Sequence, residues 1–189
     1  LMNALVGEKL SIVTAKAQTT RHRIMGIVNG DNWQIVYSDT PGILKPHYKL
    51  QESMMEFVDV AIGDADIIIY VTDVVEKKDK NVAYIEKLNR LECPVIVVLN
   101  KIDLSTQEKV MEIMAQWREL LPNAEIIPVY ATEKFNLEKL FDTILSHLPV
   151  SPPWYDKETF TDKSMRFFAS EIIREKSLLN YSQEIPYCT

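Results

Sequence analysis

Six consecutive residues, Pro94-Val95-Ile96-Val97-Val98-Leu99, carry no polar side chain. A strand with one wet face alternates apolar and polar residues. An unbroken β-branched run therefore reads as a strand buried on both faces, inside a parallel sheet. Ligands of open α/β sheets sit beyond the carboxyl ends of such strands, a place taken here by Asn100-Lys101-Ile102-Asp103. The Asp103 carboxylate has two acceptor oxygens, enough for the ring N1–H and the exocyclic amine of guanine, a donor pair that adenine lacks. Asn100 is placed to tie neighbouring loops together, and the apolar stem of Lys101 to cover a base face. A solvated polar turn would have the same spelling, so the assignment needs a second motif.

Asp39-Thr40-Pro41-Gly42 supplies it, directly after the run Trp33-Gln34-Ile35-Val36-Tyr37-Ser38. An aspartate at a strand end, then a glycine that lets backbone approach a phosphate, suits magnesium and γ-phosphate sensing. In this order the two motifs resemble the third and fourth signature boxes of the GTP-binding proteins. That resemblance implies a Ras-like P-loop fold and puts Thr40, Pro41, Ile43 and Ile102 beside the nucleotide. In many relatives a glutamine follows the glycine and orients the attacking water. Ile43 can neither donate nor accept a hydrogen bond there. Subfamilies with an apolar residue at this place are often potassium-assisted, so K+ joins GTP, GDP and Mg2+ among the expected ligands. His47, close by, reads as a solvated loop residue rather than a base.

The rest of the chain alternates strands and helices. Ile24 to Val28 and Trp33 to Ser38 flank the turn residues Asn29-Gly30-Asp31-Asn32. This hairpin predicts one antiparallel edge strand on a mostly parallel sheet, with helices on both faces. Helical periodicity spans Gln51 to Ile62, Asp79 to Leu91 (Val82, Ile85 and Leu88 on one face), Ser105 to Leu120 and Asn136 to Leu148. Asp66 to Thr72 and Glu125 to Val129 read as strands. Ser105, with Glu108 three residues on, is the expected N-cap of its helix. Lys16-Ala17-Gln18-Thr19-Thr20-Arg21-His22-Arg23 is polar and aperiodic, which suits a loop that a γ-phosphate orders. Thr19 and Thr20 offer hydroxyls for a magnesium shell, and the sequence leaves open which of them ligates. Pro149, Pro152 and Pro153 mark a boundary: residues 1–149 form one domain and 150–163 a linker. Residues 164–189 hold an amphipathic helix and a strand entry, either the start of a second domain or a helix docked on the first.

Composition excludes several classes. With 21 basic against 27 acidic residues the net charge is −6, unlike a nucleic-acid binder with a basic stripe that releases counterions. No run reaches the roughly 18 apolar residues of a membrane span. Leu1-Met2-Asn3-Ala4 shows no charged leader and no cleavage site, so a secretory signal is not expected. Cys93 and Cys188 are too few and too far apart for a disulfide framework, and His22, His47 and His147 lack metal-ligand spacing. A reducing cytoplasm is the expected compartment.

Three stretches carry a closer resemblance: Lys16 to Arg23, Asp39 to Gly42, and Phe168-Ala169-Ser170-Glu171-Ile172-Ile173-Arg174-Glu175-Lys176. With them the sequence is similar to the Era family of bacterial GTPases over essentially its whole length. The resemblance implies a GTPase domain followed, from residue 164, by the start of a KH-type α+β RNA-binding domain. It implies GTP hydrolysis, maturation of the small ribosomal subunit and binding to the 3′ end of 16S rRNA. A monomer in the cytoplasm, associating peripherally with the membrane, goes with it. Asn100, Lys101 and Asp103 would hold guanine, with the backbone of Ala131 in Tyr130-Ala131-Thr132 at its oxygen; the family usually has serine where Tyr130 stands. Thr19, Thr20 and Gly42 would be the catalytic set, and Thr19 or Thr20 with Asp39 the metal set. The family's phosphate loop ends Gly-Lys-Ser/Thr, a pattern not found in the 189 residues. The resemblance places it, with the first strand, just upstream of Leu1, and places the KH domain's Gly-x-x-Gly loop past Thr189. The rival reading is a non-catalytic RNA- or protein-binding module.

Overall fold

The computed structural model describes residues 1–14, 19–75 and 82–180. In chain order come α1 (Met2–Val6), β1 (Ile24–Asn29), β2 (Gln34–Asp39), α2 (Lys49–Asp64), β3 (Ile68–Asp73) and α3 (Val82–Leu88). Then follow β4 (Val95–Asn100), a 3-10 turn (Ile102–Leu104), α4 (Gln107–Leu120), β5 (Glu125–Pro128), α5 (Leu137–His147) and α6 (Met165–Asn180). The expected start of α3 at Asp79 and the expected strand entry after Asn180 lie outside the described residues. The chain divides into two compact units, one built on Ile62–Ser151, the other on Val6–Ala61 and the residues from Pro152.

The first unit is a parallel sheet in the order β3-β4-β5. β4 is central, and Ile96, Val97, Val98 and Leu99 are all 0% exposed, which is why the run needs no polar parity. Each such side chain contributes about 1.5–3 kcal/mol through burial. The register pairs Asp73 with Asn100, so two strands deliver polar residues to the same end of the sheet. α4 buries Val110, Ile113 and Trp117, the last with its ring 5.4 Å from that of Tyr70. α5 buries Leu137, Leu140 and Ile144. α3 buries Ile85 and Leu88 but leaves Val82 exposed.

The cap of α4 is Thr106 and not Ser105. Thr106 Oγ1 accepts from the Lys109 N–H, while the Ser105 N–H closes the preceding 3-10 turn onto the Ile102 carbonyl. The first intrahelical bond runs from the Val110 N–H to the Thr106 carbonyl, which makes Thr106 the residue at the cap position.

The second unit holds the hairpin, whose register runs from Ile24 opposite Asp39 to Asn29 opposite Gln34. β1 and β2 hydrogen-bond as a two-stranded antiparallel sheet of their own. The loop closes with the Gly30 N–H on the Trp33 carbonyl, and a side chain at Gly30 would collide with the Trp33 indole. An open strand edge needs partners for its backbone groups. For β1 they come from the proline-rich stretch after α5: the Ile27 N–H donates to the Phe160 carbonyl, Thr161 Oγ1 to the Met25 carbonyl, and the Met25 N–H to Asp162. Gln34 adds a clamp, its Oε1 accepting from the N–H groups of Trp154 and Tyr155. α6 reverses ordinary amphipathicity: it buries Glu171, Glu175 and Leu178 while Met165, Ile172, Ile173 and Leu179 are exposed. Buried carboxylates require pairing, and both are paired, Glu171 with Arg174 and Glu175 with Lys9.

Candidate functional site

In the first unit the site is built from the exits of β3, β4 and β5. Asn100 ends β4 and ties loops together, its Oδ1 accepting from the Ala131 N–H at 3.2 Å. Lys101 follows in the left-handed region (φ 56°), a conformation costing a side-chain-bearing residue of order 1 kcal/mol or more. Its ammonium is fixed 2.7 Å from the Asp73 carboxylate, and the side chain stays half exposed. Asp73 therefore belongs to the site; sequence reasoning gave it no role, and its position at the end of a neighbouring parallel strand was the available signal. Ile102 and Asp103 lie in the 3-10 turn. Among the described residues the exposed Asp103 carboxylate has no hydrogen-bond or ion-pair partner. Two acceptor oxygens are thus presented to solvent on a turn fixed at both ends.

Beyond β5, Tyr130 and Phe135 exchange backbone hydrogen bonds of 3.3 and 3.0 Å. They close a loop that holds Ala131, half-buried, and Thr132, exposed. Asn136 sits at φ 61° and does not cap α5 with its side chain, which instead donates to the Pro128 carbonyl at 2.8 Å. All three side-chain-bearing residues with positive φ among those described, Lys101, Lys134 and Asn136, fall in these two loops. Such strain gathers where geometry serves a ligand rather than the core.

The second unit carries the other predicted residues. Asp39 ends β2 and accepts a short hydrogen bond from Ser11, a partner that no motif announced. Burial pushes the Asp39 carboxyl above its usual range, against the Ser11 hydroxyl and the Thr40 backbone, which pull it down. Thr40 is half-buried and Pro41 fully buried, which anchors the turn. Gly42 is exposed with open space where a Cβ would stand, and Ile43 is half-buried. His47 is exposed, and its backbone N–H donates to Gln51 of α2. Thr19 Oγ1 lies 2.7 Å from Thr14 Oγ1, whereas Thr20, half-buried, has no side-chain partner among the described residues. Lys16, Ala17 and Gln18 lie outside them.

These oxygens fit a hard divalent ion. A carboxylate and hydroxyls match magnesium, and a cation beside Asp39 would relieve the cost of burying its charge. No group of three or more His, Cys, Asp or Glu among the described residues could hold a metal. The protein would therefore supply part of the shell and leave the rest to phosphate and water, as magnesium commonly has it.

Comparison with known proteins bears on the family and the fold. A family model described as 50S ribosome-binding GTPase matches residues 1–101. The chain is 41% identical to GTPase Era of Clostridium perfringens over 188 residues, 99% of this chain and 64% of that protein. A crystal structure of Era in complex with MgGDPNP and nucleotides 1506–1542 of 16S ribosomal RNA matches with a TM-score of 0.92 at 36% identity, over 98% of this chain and 64% of that one. Era of Aquifex aeolicus, as a variant bound to GDP·AlF4−, matches with a TM-score of 0.91 at 35% identity and the same coverage. The fold is that of the Ras-like GTPases. The chain spans 64% of the length of the curated relatives it matches.

Proposed function

We propose, for a chain that belongs to the 50S ribosome-binding GTPase family, that it carries the guanine-binding and magnesium-linked phosphate-sensing parts of a GTP-hydrolysing switch of the Era kind. The observation that carries this reading is the unpartnered Asp103 carboxylate on a turn held by Asn100 and Lys101. Asp103 accepts from the guanine N1–H and amine, and Asn100 holds the loop of Ala131 beside the base by taking the Ala131 N–H on its Oδ1. The half-exposed stem of Lys101 covers the base. The loop of Tyr130 and Thr132 frames the same side.

Asp39, with Thr19 or Thr20, holds Mg2+, which when bound neutralises charge on the β- and γ-phosphates. Gly42 offers its backbone N–H to the γ-phosphate in space that no side chain fills. Ile43 cannot orient water, so that task falls to another group, with K+ as the candidate ion. For the whole protein we place the switch in small-subunit maturation, with the 3′ end of 16S rRNA as partner. We place it, as a monomer, in the cytoplasm and at the inner face of the membrane. Among the described residues no helix is long and apolar enough to cross a membrane.

The test is nucleotide selectivity of the full-length protein, measured with GDP, ADP and XDP. Asp103→Asn exchanges an acceptor for a donor, and GDP affinity should fall by about a hundredfold while XDP gains. Guanine selectivity that survives this substitution sinks the assignment.

A further inference from the structure

Residues 9–14 connect three parts of the second unit. Lys9 Nζ lies 2.7 Å from Glu175 Oε2, and the Val13 N–H donates to Glu175 Oε1 at 3.1 Å. Between these two anchors Ser11 donates to Asp39, and directly after them Thr14 Oγ1 lies 2.7 Å from Thr19 Oγ1. A single carboxylate on α6 thus grips both flanks of the residue that holds Asp39, and it grips the neighbour of the residue that holds Thr19. Glu175 is 4% exposed, and both of its oxygens are engaged. Lys9 and the Val13 N–H keep its carboxyl below the usual range. Ser11 is itself buried, so its hydroxyl has little freedom to re-aim. A carboxylate buried at this depth with both oxygens satisfied locks its partners in place, because releasing either one strands a charge or a donor.

We propose that Glu175 is a positioning residue for the metal-facing oxygens of the nucleotide site: through residues 9–14 it sets where the Asp39 carboxylate and the Thr19 hydroxyl stand. The inference rests on the magnesium reading of those two residues. It gives the inward-turned acidic face of α6 a task in nucleotide binding.

The readout is the Mg2+ concentration needed for half-maximal binding of a fluorescent GTP analogue by the full-length protein, with affinity in EDTA as reference. Glu175→Ala should raise that requirement about tenfold and leave the EDTA affinity unchanged. Glu175→Gln, whose single amide oxygen can still accept from Val13 but whose NH2 faces Lys9, should recover only part of the loss. Ser11→Ala should raise the requirement too, and the double variant should fall short of the sum of the two single effects, because Ser11 lies on one of the two routes through which Glu175 acts. A folded Glu175→Ala protein with an unchanged Mg2+ requirement overturns the proposal. So does an unchanged requirement in Ser11→Ala, which keeps the test decisive if Glu175→Ala does not fold. Equal weakening with and without Mg2+ would make Glu175 a structural residue only, and that too overturns it. A wild-type protein that binds no guanine nucleotide would instead overturn the reading beneath, and it would do so before any variant is compared.

Discussion

Asp39 stands at the end of β2 under conditions that oppose its own charge. Burial raises its pKa, and the Ser11 and Thr40 hydrogen bonds only partly offset that. The folded state therefore holds the proton more tightly than the unfolded chain does. The stability this carboxyl contributes is complete below its unfolded pKa and is lost as pH rises through the raised folded value. At neutral pH the charged form is a burden that only a cation relieves. Asp39→Asn should raise the melting temperature of the Mg2+-free protein at pH 7 and have little effect below about pH 4, while Mg2+-dependent nucleotide binding disappears. Thermal melts across pH, with and without Mg2+, check both halves; a variant less stable than wild type at pH 7 contradicts the argument. Ile43, half-buried beside this turn, belongs to packing. Ile43→Ala should cost about 1 kcal/mol in urea denaturation and keep most of the hydrolysis rate. Complete loss of turnover with an intact fold would place Ile43 in the chemistry.

At the level of elements, what was legible in the sequence is what burial alone decides. β4 announced itself because a strand covered on both faces has no polar position to spare. The hairpin was legible because its loop residues leave few alternatives. Asn100 was legible as a tie between loops, a role its side-chain oxygen now shows at Ala131. The cap of α4 was misplaced by one residue, since Ser105 and Thr106 are both good caps and the choice turns on which carbonyl takes the first intrahelical bond, here Thr106 from the Val110 N–H. Thr106→Ala should therefore destabilise the protein by about 1 kcal/mol and Ser105→Ala by less than about 0.5. Equal effects in chemical denaturation would contradict the placement of the cap at Thr106. α6 hid its polarity for a different reason. Glu171 and Glu175 sit inward because of Arg174, Lys9 and the Val13 N–H, and the last two lie at the far end of the chain. Asp73 was hidden likewise, since its pairing with Lys101 depends on the register between β3 and β4. Period and propensity do not encode partners of that kind. Arg21 and His22 meet α6 in the fold, with His22 edge-on to Phe167 at 6.0 Å and Arg174 and Glu171 among the charges acting on Arg21.

For the whole molecule the decisive quantity is charge. Binding to single-stranded RNA weakens with salt at a slope of about 0.7 per phosphate neutralised. A chain with net charge −6 has no surplus of cations to supply a steep slope. Several of its exposed or half-exposed lysines are already committed within the protein, Lys9 to Glu175, Lys101 to Asp73 and Lys163 to Asp162. Lys157 and Arg166 are exposed, the one ahead of α6 and the other in its first turn, and among the described residues neither is held in an ion pair. If the proposed rRNA partner is gripped outside these 189 residues, replacing both with Gln in the full-length protein leaves the salt slope of RNA binding unchanged. If these two residues contact the RNA, the slope falls by about 0.7 for each phosphate no longer neutralised, and affinity drops evenly across RNA sequences. Fluorescence anisotropy of a labelled 16S 3′-end oligonucleotide over roughly 50–300 mM KCl separates the two. An unchanged slope would remove Lys157 and Arg166 from the RNA contact, and a reduced one would place the segment before and at the start of α6 on the RNA.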